Sequence, residues 1–120
     1  MDDALVYTLV RAPDWAAAMS AGAYAGSADD ARDGFLHFST AYQARASAAK
    51  HRAGVADLLL VAVHIAPLGD ALRFEPASSG GGRPGQFPHL YGTLALSAVR
   101  SVIPLPLGTD GLHVFPPGFP

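Results

Sequence analysis

Residues Leu58-Leu59-Leu60-Val61-Ala62-Val63 form an unbroken apolar run that continues past His64 to Ile65. Successive side chains of a strand point to opposite faces, so a strand that is apolar at every position must be covered on both sides. That requirement constrains the rest of the chain, which has to supply a layer above this strand and a layer below it. A chain of 120 residues has room to do so as one domain with its own hydrophobic core.

The segments before the run provide candidate layers. Ala4 to Val10 reads as a first strand, in which Leu5, Tyr7 and Leu9 alternate with Val6, Thr8 and Val10. Pro13 suits the first turn of a helix, where its missing N–H costs nothing, and Asp14 complements the helix dipole there. Trp15, Ala18 and Met19 fall on one stripe of that helix, and Gly22 ends it. Ala23 to Asp33 reads as an acidic loop of small residues. Gly34-Phe35-Leu36-His37-Phe38-Ser39-Thr40 then alternates as a strand. Leu36, Phe38 and Thr40 would face a core, while Phe35, His37 and Ser39 would present an imidazole and a hydroxyl to a pocket. Thr40 and Gln43 have capping-box spacing, so this strand is expected to turn directly into a helix. The spacing puts Tyr42, Ala46, Ala49 and Ala53 on one face and Gln43, Ser47, Lys50 and His51 on another, with Gly54 as the stop.

Beyond the apolar run, Pro67-Leu68-Gly69 makes a turn, and Leu72-Arg73-Phe74-Glu75 alternates again, with Arg73 and Glu75 on one face and Pro76 at the end or edge of the strand. Ser78 to Gly85 is a flexible Gly/Ser loop long enough to act as a lid or to be disordered. It leads into Phe87-Pro88-His89-Leu90-Tyr91-Gly92, which interleaves polar rings with apolar residues as 34–40 does. Leu94 to Val99 reads as a helical turn and Ser101 to Ile103 as a last strand. Five prolines from Pro104 onward predict an extended tail. The organisation expected is a single globular α+β domain over residues 1–105, followed by a Pro-rich extended C-terminal tail over 106–120 without a core of its own.

Composition removes several kinds of function. No cysteine is present, which excludes disulfides, thiolate metal sites and a Cys nucleophile. A net charge of −2 with scattered arginines argues against duplex nucleic acid. No apolar run approaches the roughly 20 residues that span a bilayer. Met1-Asp2-Asp3 is acidic and no signal-peptide run follows it, so the sequence reads as cytoplasmic. A small ligand is the partner that these features leave, and they leave the oligomeric state open.

The histidines differ in setting. His51 lies on the polar side of an Ala-rich helix, His113 lies in the tail, and His64 ends the buried strand, where a hydrogen-bonded core residue is favoured over a ligand. His37 and His89 sit near hydroxyl residues on core-forming elements, where each is either a pocket residue or a ring bonded to backbone. Glu75 is the only glutamate in the chain and stands just before the Gly-rich loop. It suits a base, a ribose-orienting group or a stabiliser of developing positive charge, with a surface ion pair to Arg73 or Arg83 as the alternative. Tyr7 and Tyr91 suit stacking on a planar ring, or half-buried packing. Gly80-Gly81-Gly82 lacks the Gly-Lys-Ser/Thr of a P-loop, and neither HExxH nor a nucleophile elbow occurs. His37, His89 and Glu75 have permissible metal-ligand types, but their spacing is not diagnostic, and no metal is expected.

Four motifs in order carry a resemblance: the 34–40 stretch, Leu58 to Val63, Arg73-Phe74-Glu75-Pro76, and Phe87 to Gly92. Together with Val6-Tyr7-Thr8 and Pro13-Asp14-Trp15, they resemble the bacterial "domain of unknown function 952" family over residues 4–105. That family is grouped with the ADP-ribosyltransferase-like superfamily. The resemblance implies a compact split sheet with flanking short helices, gripping NAD in a cleft. Carried over by position, Tyr7-Thr8 is the first motif, His37-Phe38-Ser39-Thr40 the second, and Glu75 or the His89–Tyr91 segment the last. Thr8 departs from the pattern, since members often carry a histidine or another polar residue there. The activity implied is cleavage of the nicotinamide–ribose bond, with NAD as substrate. Glu75 and His37 would be catalytic, and Tyr7, Thr8, Ser39, His89 and Tyr91 would bind the ligand. The alternative is a non-catalytic module for a nucleotide-like ligand or a partner peptide.

Overall fold

The computed structural model describes residues 4–77 and 85–120. The segment 78–84, which holds nearly all of the expected lid together with Arg83, lies outside them. The apolar run sets the architecture. It forms β4 (Leu58–His64), the middle strand of an antiparallel sheet between β1 (Leu5–Arg11) and β8 (Val99–Pro104). Its two faces enter different cores. Val61 and Val63 join Val6, Val10, Trp15, Ala18, Leu36, Phe38 and Leu90 on one side. Leu58 and Leu60 join Ala44, Ala48, Leu105 and Phe115 on the other. Continuous apolarity is therefore used in full, one face per core.

The first core is roofed by α1 (Ala12–Ala21), by the β2 (Ala23–Tyr24) and β7 (Leu94–Ala95) pair, and by one face of a second antiparallel sheet. That sheet has β6 (Gln86–Leu90) between β3 (Leu36–His37) and β5 (Leu72–Pro76). Its register aligns Leu36 with Leu90 and Leu90 with Leu72, so one face carries leucines into the core. The other face aligns His37 with His89, His89 with Arg73, and Phe87 with Glu75. The second core is closed by α3 (Ala44–His51) and by the segment 105–120, which folds back over the sheet and buries Leu105 and Phe115. The Arg45 guanidinium lies 4.8 Å from the Phe115 ring centroid and donates to the carbonyls of Phe119 and Pro120.

Several local expectations are corrected. The 23–33 segment is not a loop: it forms β2 and the helix α2 (Ala28–Asp33), which has a complete Ser27/Asp30 capping box. Gly34 ends α2 at φ +86°, a conformation that disfavours any residue with a Cβ. Met19 is 63% exposed: the short α1 meets the core along a narrow strip that Trp15 and Ala18 fill. In α3 the expected apolar face points outward, with Tyr42 just before it 86% exposed, while Ala44, Ser47 and Ala48 are buried. Small residues there let the helix lie close against the sheet. The 34–40 stretch is not one continuous strand either. Phe38 N–H still bonds to Pro88 of β6, but at Ser39 the chain changes partner to β1, exchanging two backbone hydrogen bonds with Tyr7. Gln43 does accept from the Thr40 N–H, yet α3 begins only after an intervening turn. Among the described residues no helix is long and apolar enough to cross a membrane.

Candidate functional site

The change of partner at Ser39 brings β1 beside the polar face of the second sheet, and a cleft of about 290 Å³ opens there. Tyr7, Thr8, His37, Ser39 and His89 all line it. Asp29, Asp30 and Asp33 of α2, Ser47, His51 and Arg52 of the α3 region, and Phe87 of β6 complete much of the wall. Glu75 and Tyr91 are not on the lining; they sit behind His89.

His89 is buried, 2% exposed, and is held from three directions. Its Nδ1 lies 2.9 Å from Glu75 Oε1, and the Tyr91 hydroxyl donates to the same oxygen at 2.7 Å. A carboxylate only accepts, so Nδ1 carries the hydrogen and, in the neutral ring, Nε2 carries the lone pair. The Phe35 ring stacks on His89 at a centroid distance of 4.0 Å, and the Arg73 guanidinium covers the Tyr91 ring at 4.8 Å. The hydrogen bonds from His89 and then Tyr91 hold the Glu75 carboxyl below its ordinary value, and the bond to Glu75 raises the Tyr91 phenol. Arg73 thus pairs with a ring, and Glu75 is occupied by His89 and Tyr91.

His37 has a different environment. Its Nδ1 lies 2.5 Å from Asp30 Oδ1 and its Nε2 lies 2.9 Å from Asp33 Oδ2, so both ring nitrogens face carboxylates. The His37 backbone N–H also donates to Asp30 Oδ1, and Thr8 donates to the His37 carbonyl. The hydrogen bond to Asp30 raises the His37 imidazolium above its ordinary value, against burial and with help from the charges of both aspartates. Burial pushes the Asp30 carboxyl up, but the bonds from the His37 ring, the Ser27 N–H and the His37 N–H outweigh it and leave the group lowered. The Ser39 and Ser47 hydroxyls, both buried, meet at 2.8 Å on the cleft wall.

Structure therefore joins Glu75, His89 and Tyr91 directly, sets His37 beside them with its ring 5.9 Å from that of His89, and places Tyr7, Thr8 and Ser39 around the same cleft. Sequence reasoning missed Asp30, Asp33 and Ser47. Asp30 was legible as the fourth residue of a Ser27-x-x-Asp30 cap. Asp33 stands four residues before His37, but across a helix end and a glycine turn, where spacing has no geometric meaning. Among the described residues no group of three or more His, Asp or Glu side chains is arranged to hold a metal ion.

The chain was compared with known proteins. No curated protein matches it. It is 40% identical to protein CC0527 from Caulobacter crescentus, whose crystal structure superposes with a TM-score of 0.84 over 92% of this chain and 93% of that one. The solution NMR structure of CC0527 gives 41% identity and a TM-score of 0.78 over 90% of each chain. A family model described as "Protein of unknown function (DUF952)" matches residues 9–102, the span that contains the whole second sheet, most of the first, and every cleft residue on them except Tyr7 and Thr8. On the breadth of that match, the chain belongs to the DUF952 family.

Proposed function

We propose that the cleft binds a nucleotide-like ligand, with NAD or ADP-ribose as the class to test first, and that His89 is the side chain that meets it at the reacting or recognised atom. The observation that carries this reading is the Glu75–His89–Tyr91 network beside the cleft. A buried imidazole oriented through Nδ1 by a carboxylate leaves Nε2 for the ligand, the arrangement used for general bases and for specific hydrogen bonding. Thr8, Ser39 and Ser47 supply hydroxyls for a ribose-like group, and Tyr7 and Phe87 supply aromatic surface for a planar ring. Two antiparallel sheets meeting at a polar cleft also agree with the ADP-ribosyltransferase-like relationship, which belongs to the same proposal.

In this reading Glu75 and Tyr91 do not touch the ligand; they position His89. As an enzyme, the protein would break the bond between ribose C1 and nicotinamide, which leaves with the electron pair. An acceptor hydroxyl or water would form the new C1–O bond and give its proton to His89 Nε2. A second reading, a binding module without turnover, is favoured by one observation: Glu75, the chain's only glutamate, is committed to His89 and Tyr91.

A thermal-shift and calorimetric series with NAD, ADP-ribose and mononucleotides tests binding. A saturable ligand raises the melting temperature in proportion to the logarithm of its concentration, and His89→Ala removes the effect. If none of these ligands shifts the wild type at millimolar concentration, the nucleotide assignment fails. Release of nicotinamide from NAD then separates enzyme from binder, because Glu75→Ala lowers such a rate by orders of magnitude while the fold persists.

A further inference from the structure

We infer that His37 is a pH-dependent latch: as an imidazolium it fastens α2, and with it one wall of the cleft, to β3. The inference needs no particular ligand and stands apart from the nucleotide reading.

The geometry leaves little choice of protonation state. A neutral imidazole has one N–H and one lone pair, so it can satisfy one carboxylate but must turn the lone pair toward the other. His37 has Asp30 on one nitrogen and Asp33 on the other. Both contacts are attractive only when both nitrogens carry hydrogen. Asp30 is the third residue of α2 and Asp33 its last, three positions further on, so the ring ties the C-terminal half of this six-residue helix to β3. Ser27, Asp29, Asp30, Arg32 and Asp33 from this segment all line the cleft, so the latch holds a wall rather than a distant surface.

Other charged groups surround the latch. On α2, the Arg32 guanidinium bonds to both oxygens of Asp33 and to Asp29, which tempers the negative charge on that side. From β6, His89 places its ring 5.9 Å away, with Glu75 of β5 behind it. Arg52, following α3, lies 3.9 Å from Asp29, and His51 lines the same cleft. From β1 the approach is by the uncharged Thr8 hydroxyl, on the His37 carbonyl. The two aspartates are the carboxylates in hydrogen-bond contact with the ring, and they set the sign of the effect. Protonated His37 is stabilised in the closed wall, so the closed state is fully favoured below the ordinary histidine value and is progressively lost as pH rises through the raised one.

The test is amide hydrogen exchange of residues 28–33 from about pH 5.5 to pH 9, with the His37 ring followed by NMR on the same samples. Once intrinsic exchange rates are divided out, protection of α2 should fall by up to about tenfold per pH unit between roughly pH 6.5 and the His37 midpoint, while β4 amides keep theirs. Asp33→Asn keeps an oxygen acceptor and leaves the capping box intact; it should move both the ring titration and the loss of protection to lower pH. His37→Gln should leave α2 poorly protected at pH 6 with no further change on raising pH. The latch is overturned by α2 protection that is flat across the wild-type His37 titration, by a His37 midpoint below the ordinary value, or by an Asp33→Asn titration that coincides with wild type.

Discussion

His37 and His89 face each other across the β3–β6 ladder and share contact with the Phe35 ring, yet the chain surrounds them in opposite ways. His37 is half-exposed and has a carboxylate on each nitrogen. His89 is buried and has one carboxylate, on Nδ1 alone. In the reading proposed above, this contrast separates their roles more clearly than exposure does. An imidazole with both nitrogens committed has no donor or acceptor left for a ligand and acts as a tie between elements. An imidazole with one nitrogen committed is oriented and still has chemistry to offer.

The largest expected effect that tests this contrast comes from Asp30→Ala. The substitution removes the bond to the His37 ring, the acceptor for the His37 N–H and half of the capping box, and it should cost about 2–4 kcal/mol in urea denaturation near neutral pH. A cost under about 0.5 kcal/mol, the range of ordinary surface substitutions, would mean that His37 ties nothing together. The pH dependence of stability comes next. Asp30 has a lowered value, so its contribution is present above the ordinary carboxylate range and is lost as pH falls through the lowered value. His37 has a raised value, so its contribution is present below about pH 6.5 and is lost as pH rises through the raised value. Urea midpoints measured across pH should therefore decline on both sides of mildly acidic pH, and His37→Gln should flatten the alkaline decline. An alkaline decline of equal steepness in that variant would assign it to another group.

The other histidine is read out through its partner. His89→Ala deletes the largest influence holding Glu75 down, so the Glu75 carboxyl should titrate nearer its ordinary value in carbon-detected NMR. Tyr91→Phe removes the second influence and should produce the smallest shift of the series, in the same direction. If the order reverses, Tyr91 rather than His89 is the principal partner of Glu75, and the carboxylate–imidazole dyad loses its basis.

How much of this was legible beforehand depended on side-chain size. Large apolar residues in regular alternation announce their faces: β4 with a core on each side, the Leu36/Phe38 face, Trp15 in α1 and the strand carrying Glu75 all follow from that pattern. Where the chain is built from alanine, aspartate and serine, the pattern is silent. In α3 nothing larger than alanine marks the buried side, so Tyr42 pulled the reading toward the wrong face. In α2 there is no apolar stripe at all, because the helix is held by its cap and by His37 rather than by a core. The site shares that division. The motifs containing Tyr7, His37, Ser39, Glu75 and His89 were visible as polar residues interrupting apolar strands. The aspartates that contact His37 were read as a loop, since the contact depends on the positive-φ turn at Gly34 and a capped helix acting together.

The fold-back of the C-terminal segment bears on any shortening of the chain. The family match ends at residue 102, so a protein ending there would keep His89, the second sheet and all of the first except the last two residues of β8, and would look complete on paper. It would lose Leu105, Phe115 and Phe119, leaving Leu58 and Leu60 covered on that side of the central strand chiefly by the alanines of α3. Phe119 also packs edge-on against Tyr7 at 5.2 Å, and Tyr7 lines the cleft. A protein ending there would therefore bind a hydrophobic dye at the uncovered second core, and its Tyr7 ring would gain freedom on the cleft. In practical terms, the last fifteen residues bear on the shape of the cleft through Phe119 and Tyr7, although none of them lines it.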